Sequence, residues 1–274
     1  MLIETLSTFP HMYDSVMGES MMKRAQEKGI LEFRAHDLRD WTHDRHRTTD
    51  DDPYGGGAGL VMKCDPIFEA VEAILGKEFV EAKLAAAPPQ GESQQRSSAA
   101  PQIVFLAPQG RPFDDAYADK LAAADHLLFI CGHYEGIDER VYTLADHVIS
   151  LGDYVLTSGE LASMVVIDAA VRKLPGVLGA AEGPVDESFT SGLLEYPQYT
   201  RPADFRGMRV PEVLTSGNHA AIARWRREQS LARTAVARPD LIAAAEAAGR
   251  LTPADQKFLK LLEPAPTGAA EGVS

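Results

Sequence analysis

"HVISLGDYVLTSGELASMVVIDAAVRKLPG", residues 147–176, is the stretch whose reading decides the fold class. Its first ten residues, His147 to Leu156, are rich in β-branched and apolar side chains, as in a strand buried on both faces. A glycine-bearing turn follows. Thr157 and Glu160 then stand at capping-box spacing ahead of "LASMVVIDAAVRKL", and Pro175-Gly176 stops the predicted helix. Strand, turn and helix in this order form one βα unit.

The same alternation recurs upstream. Runs at 2–9, 31–38, 103–108 and 126–132 read as further buried strands. Between them, Asp65-Pro66 opens a helix whose apolar stripe is Ile67, Ala70, Val71, Ile74 and Leu75 and whose end is Gly76; "FDDAYADKLAAA" at 113–124 is a second. Strands alternating with helices imply an α/β fold with a parallel sheet covered on both faces. From 77 to 101 the text turns to Ala, Pro, Gln and Ser and reads as a flexible insertion.

After Gly176 the pattern changes. The expected organisation is a first domain over 1–176, a loop-like stretch over 177–216, a small helical domain over 217–263 and a disordered tail over 264–274. Ser216 or Asn218 caps the first of its helices, Pro239 opens a second, and Thr252-Pro253 with Asp255 opens a third. The loop from Gly176 to Ser191, rich in small and turn residues, is expected to lack order without a partner.

The chain has 274 residues, is 45% hydrophobic and carries a formal charge of −13, which excludes a surface that binds polyanions everywhere. A local basic patch stands out against that background. Arg201, Arg206, Arg209, Arg224, Arg226, Arg227, Arg233 and Arg238 face only three acids, Asp204, Glu212 and Glu228, for a local charge of +5. Arginine beside Tyr199 and Trp225 suits phosphate forks and base stacking, and equally a solvated helix face. The longest apolar run is too short to span a bilayer and the N-terminus lacks the pattern of a signal peptide, so a cytoplasmic protein is expected. Cys64 and Cys131 have neither CxxC spacing nor further partners and read as reduced thiols.

Glycine-rich motifs narrow the chemistry. "HDRHRTTDDDPYGGGAGL", 43–60, lacks the GK[ST] of a Walker loop, and Leu60 stands where a dinucleotide fingerprint needs its third glycine. His43 and His46 with Asp50, Asp51 and Asp52 read as a self-neutralising polar loop, so no metal site is expected. Its glycines would let backbone approach a planar anionic ligand. Three further turns, "LAPQG" (106–110), "CGHYEGIDER" (131–140) and "SLGDYVLTSGE" (150–160), end predicted strands, where ligands of open parallel sheets bind.

Taken together with "FPHMYDSV" (9–16), "APQGRPFD" (107–114), "SFTSGLLEYPQYTRP" (188–202) and "VPEVLTSGNHAAIARWRREQSLART" (210–234), these motifs resemble the bacterial tRNA (guanine-N1)-methyltransferase family, from about residue 1 to 262. The resemblance implies a SPOUT-class methyltransferase, its parallel sheet threaded through a trefoil knot, acting as a homodimer with the active site at the subunit interface. It implies S-adenosylmethionine as methyl donor and the tRNA anticodon loop as partner, with methylation of N1 of the guanosine directly 3′ of the anticodon, at position 37. A magnesium requirement is associated with relatives, but no dedicated protein site is assigned to the ion. The alternatives are a SPOUT enzyme acting on another RNA and a tRNA-binding protein with impaired catalysis.

By matching position, Leu106, Ala107, Pro108, Gly132, Tyr134, Glu135, Gly136, Leu151, Gly152, Asp153, Tyr154, Val155, Leu156 and Gly159 become candidate cofactor-binding residues. His46, Arg47, Asp50, Gly59, Ser216, Asn218 and Arg224 become candidate RNA contacts, Asp50 as an anchor of its turn. Attack by guanine N1 on a sulfonium methyl requires a base for the N1 proton and a cation for charge developing on O6. The resemblance assigns the cation to Arg172 and the base to the position of Glu187, where the family carries aspartate; Asp186, which precedes it, is the alternative. Two further departures are His133, where many relatives carry arginine, and Ser158, which replaces a glycine.

Overall fold

The computed structural model describes residues 1–85, 99–178 and 187–262, in two compact units, Met1–Gly183 and Pro184–Ser274. In the first unit, strands β1 (Leu2–Ser7), β2 (Glu32–Asp37), β5 (Gln102–Pro112), β6 (His126–Ile130) and β7 (His147–Ser150) form a sheet in the order β2-β1-β6-β5-β7. All four pairings are parallel. A separate antiparallel pair joins β3 (Asp50–Asp51) to β4 (Val61–Met62). The helices of this unit are α1 (Asp14–Met17), α2 (Ser20–Glu27), α3 (Cys64–Leu75), α4 (Lys77–Ala85), α5 (Asp115–Ala122) and α6 (Gly159–Val171).

Period-two alternation sends successive strand residues to opposite faces. Ile3, Leu127, Phe129 and Ile149 pack with Met22, Leu121, Val166, Ile167 and Ala170 on one side. Leu6, Leu128, Ile130, Ile103 and Phe105 pack with Ile67, Ala70, Val71 and Val80 on the other. The doubly covered parallel sheet expected from the sequence is the observed one.

Three expectations are corrected. β7 ends at Ser150, because Gly152 turns at φ +148° and the chain leaves the sheet, exposing Tyr154 and Val155. The expected flexible insertion begins instead with helix α4. There Val80 is buried in the second core and Lys83 reaches the Leu144 carbonyl at 2.8 Å and Asp146 Oδ2 at 2.5 Å. Residues 86–98 lie outside the described residues. Finally, Ser158 rather than Thr157 is the N-cap of α6, and Glu160 turns inward instead of closing a capping box.

In the second unit, β8 (Asp204–Phe205) and β9 (Met208–Arg209) form a hairpin, followed by α7 (Glu212–Thr215), α8 (His219–Ala237), α9 (Pro239–Ala247) and α10 (Pro253–Leu262). Asn218 caps α8 by accepting the Ala221 amide at 3.1 Å, while Ser216 supports the turn by accepting the Asn218 amide. Thr252 and Asp255 cap α10 reciprocally, and Arg227 forks onto the same carboxylate at 3.1 and 2.9 Å. The core unites Leu193, Leu231, Ala245 and Leu251, so this unit starts well upstream of residue 217: the expected loop contributes Leu193, and its neighbour Leu194 receives a bond from Ser230 and gives one to Thr234. The expected tail lies outside the described residues.

Candidate active site

The ends of β5, β6 and β7 open onto a cavity of about 310 Å³. The loop after Leu106 lets β5 pair with Ile149 twice, through Leu106 and again through Arg111. Gly110 sits where this excursion returns: a Cβ there would lie 2.5 Å from the backbone of Ile149. The 131–137 turn is tied to the start of α6 by the Gly159 amide, which donates to the Gly132 carbonyl at 2.8 Å, and by a bridge between His133 and Ser158. Of the residues assigned to a cofactor, all but Asp153 line this cavity. Asp153 sits on the exposed 152–154 turn and does not reach the wall.

The glycine-rich hairpin is fastened to the same turn. Glu135 donates its amide to the Leu60 carbonyl at 3.1 Å, Met62 to Gly136 at 3.0 Å, and Asp138 back to Met62 at 3.0 Å. Gly59, at φ +88°, lies so close to Glu135 that a Cβ would fall 2.4 Å from its Cγ. Asp50 belongs to β3, opposite Met62, and accepts from Thr49 Oγ1. The expected RNA-facing residues of this loop differ in their engagement. Arg47 is committed to Asp40 at 2.5 Å and to the Arg39 carbonyl, whereas the His46 side chain is exposed and only its amide is bound, to Asp44. Tyr54, not singled out from the sequence, is completely exposed at the tip.

Charge is distributed more sparingly than the sequence suggested. Arg140 forks onto Asp138 and holds that carboxyl well below the usual carboxylate range. Burial pushes the Cys131 thiol up to about 12 and that of Cys64 up to about 11, so both are protonated at neutral pH. In the second unit Arg227, Arg238, Arg224 and Arg209 pair with Asp255, Asp240, Glu228 and Asp204. Arg226 lies 4.8 Å over the Tyr196 ring, and Arg233 donates to the Glu195 carbonyl. Four of the eight arginines of the +5 segment are therefore ion-paired within their own unit, and Arg224 is exposed but paired.

Arg172 is the C-cap of α6, its amide bonded to the Asp168 carbonyl at 3.2 Å. Glu187 belongs to the second unit and is partly buried; Asp186 lies outside the described residues. Among the described residues no group of three His, Cys, Asp or Glu side chains is arranged to hold a metal ion, and no helix is long and apolar enough to cross a membrane.

The main feature missed from sequence is Glu160, fully buried, accepting from Ser7 Oγ at 2.5 Å and approaching His133 Nε2 at 2.9 Å. No local signal announced it, because an acid in a first helical turn is ordinarily a solvent-facing partner of the helix N-terminus.

Comparison with known proteins identifies the family. A family model described as tRNA (Guanine-1)-methyltransferase TrmD matches residues 1–244. The tRNA (guanine-N(1)-)-methyltransferase of Limosilactobacillus reuteri is 51% identical over 246 residues, 90% of this chain and 91% of the relative. That of Symbiobacterium thermophilum is 51% identical over 260 residues, 95% of this chain and 97% of its own. The protein of the same name from Geobacillus kaustophilus is 51% identical over 243 residues, 88% of this chain and 91% of its own. Half the residues being shared over nearly the full length of each relative, the chain belongs to the TrmD family of tRNA (guanine-1)-methyltransferases.

Proposed function

We propose that the protein methylates N1 of the guanosine directly 3′ of the anticodon, position 37 of tRNA, using S-adenosylmethionine. The observation that carries this reading is the cavity at the ends of three parallel strands. Its volume of about 310 Å³ matches the smaller drug-sized ligand sites, roughly 300–1,000 Å³. The wall offers backbone amides and carbonyls with Leu106, Leu151 and Leu156 as apolar surface, which suits a nucleoside with a charged tail. Bound there, the donor supplies an electrophilic methyl group.

The chain's own groups would do the rest. A carboxylate, Glu187 or Asp186, takes the N1 proton of guanine. Arg172 offsets charge that develops on O6. The glycine hairpin, fastened to the cavity wall through Leu60 and Met62, brings His46 and Tyr54 toward the RNA. Ser216 and Asn218 hold a helix start, and Arg224, exposed, offers a phosphate contact. N1 lies on the Watson–Crick edge, so the target base must be unpaired when it reacts.

The near-contacts of Gly159 with Gly132 and of Gly110 with Ile149 support a knotted threading of the SPOUT kind, in which loops pass one another with no room for a side chain. Met12, Val16, Leu161 and Val165 leave apolar surface exposed at helical spacing, and a second copy covering it would give a homodimer with its active site at the subunit interface. If magnesium takes part, the reading places it with the substrates. We assign the reaction to the cytoplasm, where tRNA is modified.

The test is transfer of labelled methyl from S-adenosylmethionine to unmodified tRNA transcripts carrying G or A 3′ of the anticodon. Label on the G transcript alone is expected. Equal label on both would move the target elsewhere, and binding of tRNA without label would make this a protein that has lost catalysis.

A further inference from the structure

Glu160 occupies an expensive place for a carboxylate. It is fully buried in the first turn of α6, with Oε1 accepting from Ser7 Oγ at 2.5 Å. Its other oxygen, Oε2, lies 2.9 Å from His133 Nε2, and among the described residues neither atom has an aligned hydrogen bond to any group. A buried acid facing an imidazole costs more desolvation than apolar packing of the same volume, so such a couple is weak evidence for stability and stronger evidence for a site. His133 has a site to serve. Its side chain is 13% exposed, it lines the cavity, and its ring contacts those of Phe9 and Tyr134, with centroids 4.8 and 5.8 Å away. Its backbone is fixed as well, through the bridge to Ser158 and the Met62 sulfur on its amide.

In this orientation the ring turns one nitrogen to the acid. With Nε2 at Glu160, Nδ1 is the nitrogen left for the cavity, and no described residue bonds it. We infer that Glu160 is a positioning residue for cofactor binding: its carboxyl, 2.9 Å from His133 Nε2, fixes the orientation of that ring and so presents Nδ1 to the bound S-adenosylmethionine as a hydrogen-bonding atom. This rests on the cavity being the methyl-donor site.

The test uses the full-length protein, titrated calorimetrically with S-adenosylmethionine and S-adenosylhomocysteine, for Glu160→Gln, His133→Gln and the double variant. Glutamine at 133 keeps a group near Glu160 but removes the atom at Nδ1. Each single change is expected to weaken cofactor binding about tenfold, the loss of one hydrogen bond. The double variant should be no weaker than His133→Gln alone, because Glu160 acts only through that ring. KM for the donor should rise with kcat at saturating donor held within about twofold, while tRNA affinity is unchanged. A purely structural role for Glu160 predicts additive losses, or a fall in thermal stability with unchanged affinity, and either would overturn the inference. Should Glu160→Gln fail to fold, His133→Gln alone decides, since unaltered cofactor affinity there removes the claim. Failure of the unsubstituted protein to bind either compound would instead overturn the assignment of the cavity, and this inference with it.

Discussion

The amide of Gly159 donates to the carbonyl of Gly132 at 2.8 Å, and a Cβ on Gly159 would lie 2.7 Å from the Gly132 nitrogen. Two backbones thus meet where the last loop enters α6, and the cavity is shaped by that meeting. Gly159→Ala must push the 131–133 segment away. We expect a loss of about 1–3 kcal/mol in stability from the overpacking and at least about tenfold weaker cofactor binding. Calorimetry on the folded variant checks both, and unchanged affinity would mean that this crossing does not shape the site.

Gly59 is a different case, since its clash is with the side chain of Glu135 and its φ of +88° is itself strained for any other residue. Gly59→Ala should cost about 1–2 kcal/mol of backbone strain and shift the hairpin relative to the turn. The expected outcome is a higher KM for tRNA with donor affinity intact. Steady-state kinetics with each substrate varied in turn separates the two.

Helix α4 depends on a buried ion pair. Lys83 reaches Asp146 at 2.5 Å, and the same Asp146 oxygen accepts the Ile103 amide at 2.8 Å at the start of β5. Lys83→Ala removes the cation from that buried carboxylate, and about 3 kcal/mol of stability should be lost. Chemical denaturation gives the number, and a change below about 0.5 kcal/mol would place α4 outside the cooperative core.

His147 makes the first unit sensitive to acid. Its Nε2 lies 2.7 Å from Gln102 Oε1 and its Nδ1 2.9 Å from Tyr117 Oη, partners that suit a neutral ring. Burial, with the positive charge of Lys120 adding to it, lowers its pKa from 6.5 to about 4. The unfolded chain therefore binds a proton below pH 6.5 that the native chain refuses until about 4. Stability should be full above the upper value and fall through that window, by roughly 3 kcal/mol at most. Melting curves across the range test it: His147→Gln should flatten the dependence, and an equally steep profile in the variant would assign the effect to another group.

Much of this molecule was legible in its sequence. The parallel sheet followed from apolar strands alternating with amphipathic helices, because sheet burial dictates that pattern directly. Thirteen of the fourteen residues that the family resemblance nominates for the cofactor line one cavity, at the edge where strand-end loops of a parallel sheet converge. Side-chain commitments were illegible because they depend on tertiary neighbours: nothing local to Arg47 or Arg227 announces Asp40 or Asp255. Composition misled at α4, where an Ala-rich text hid the buried Val80 and Lys83. Glu160 was misread for a related reason, as capping-box spacing cannot tell a solvent-facing glutamate from one drawn inward by Ser7 and His133.

For the chemical step, replacement of Arg172 by alanine should lower kcat by about 10²–10³ with donor affinity unchanged. One of Glu187→Ala and Asp186→Ala should lower it by about 10²–10⁴. Single-turnover methyl transfer identifies which; two neutral substitutions would remove the proposed base.

The central claim is the atom and the nucleotide, and primer extension on tRNA incubated with the protein and S-adenosylmethionine reads both. A methyl on guanine N1 blocks the Watson–Crick edge, so reverse transcription must stop one nucleotide 3′ of the modified base. The account predicts a donor-dependent stop one nucleotide 3′ of the guanosine that follows the anticodon, absent when that base is A. Read-through at that position, with methyl groups incorporated elsewhere in the same tRNA, would contradict it.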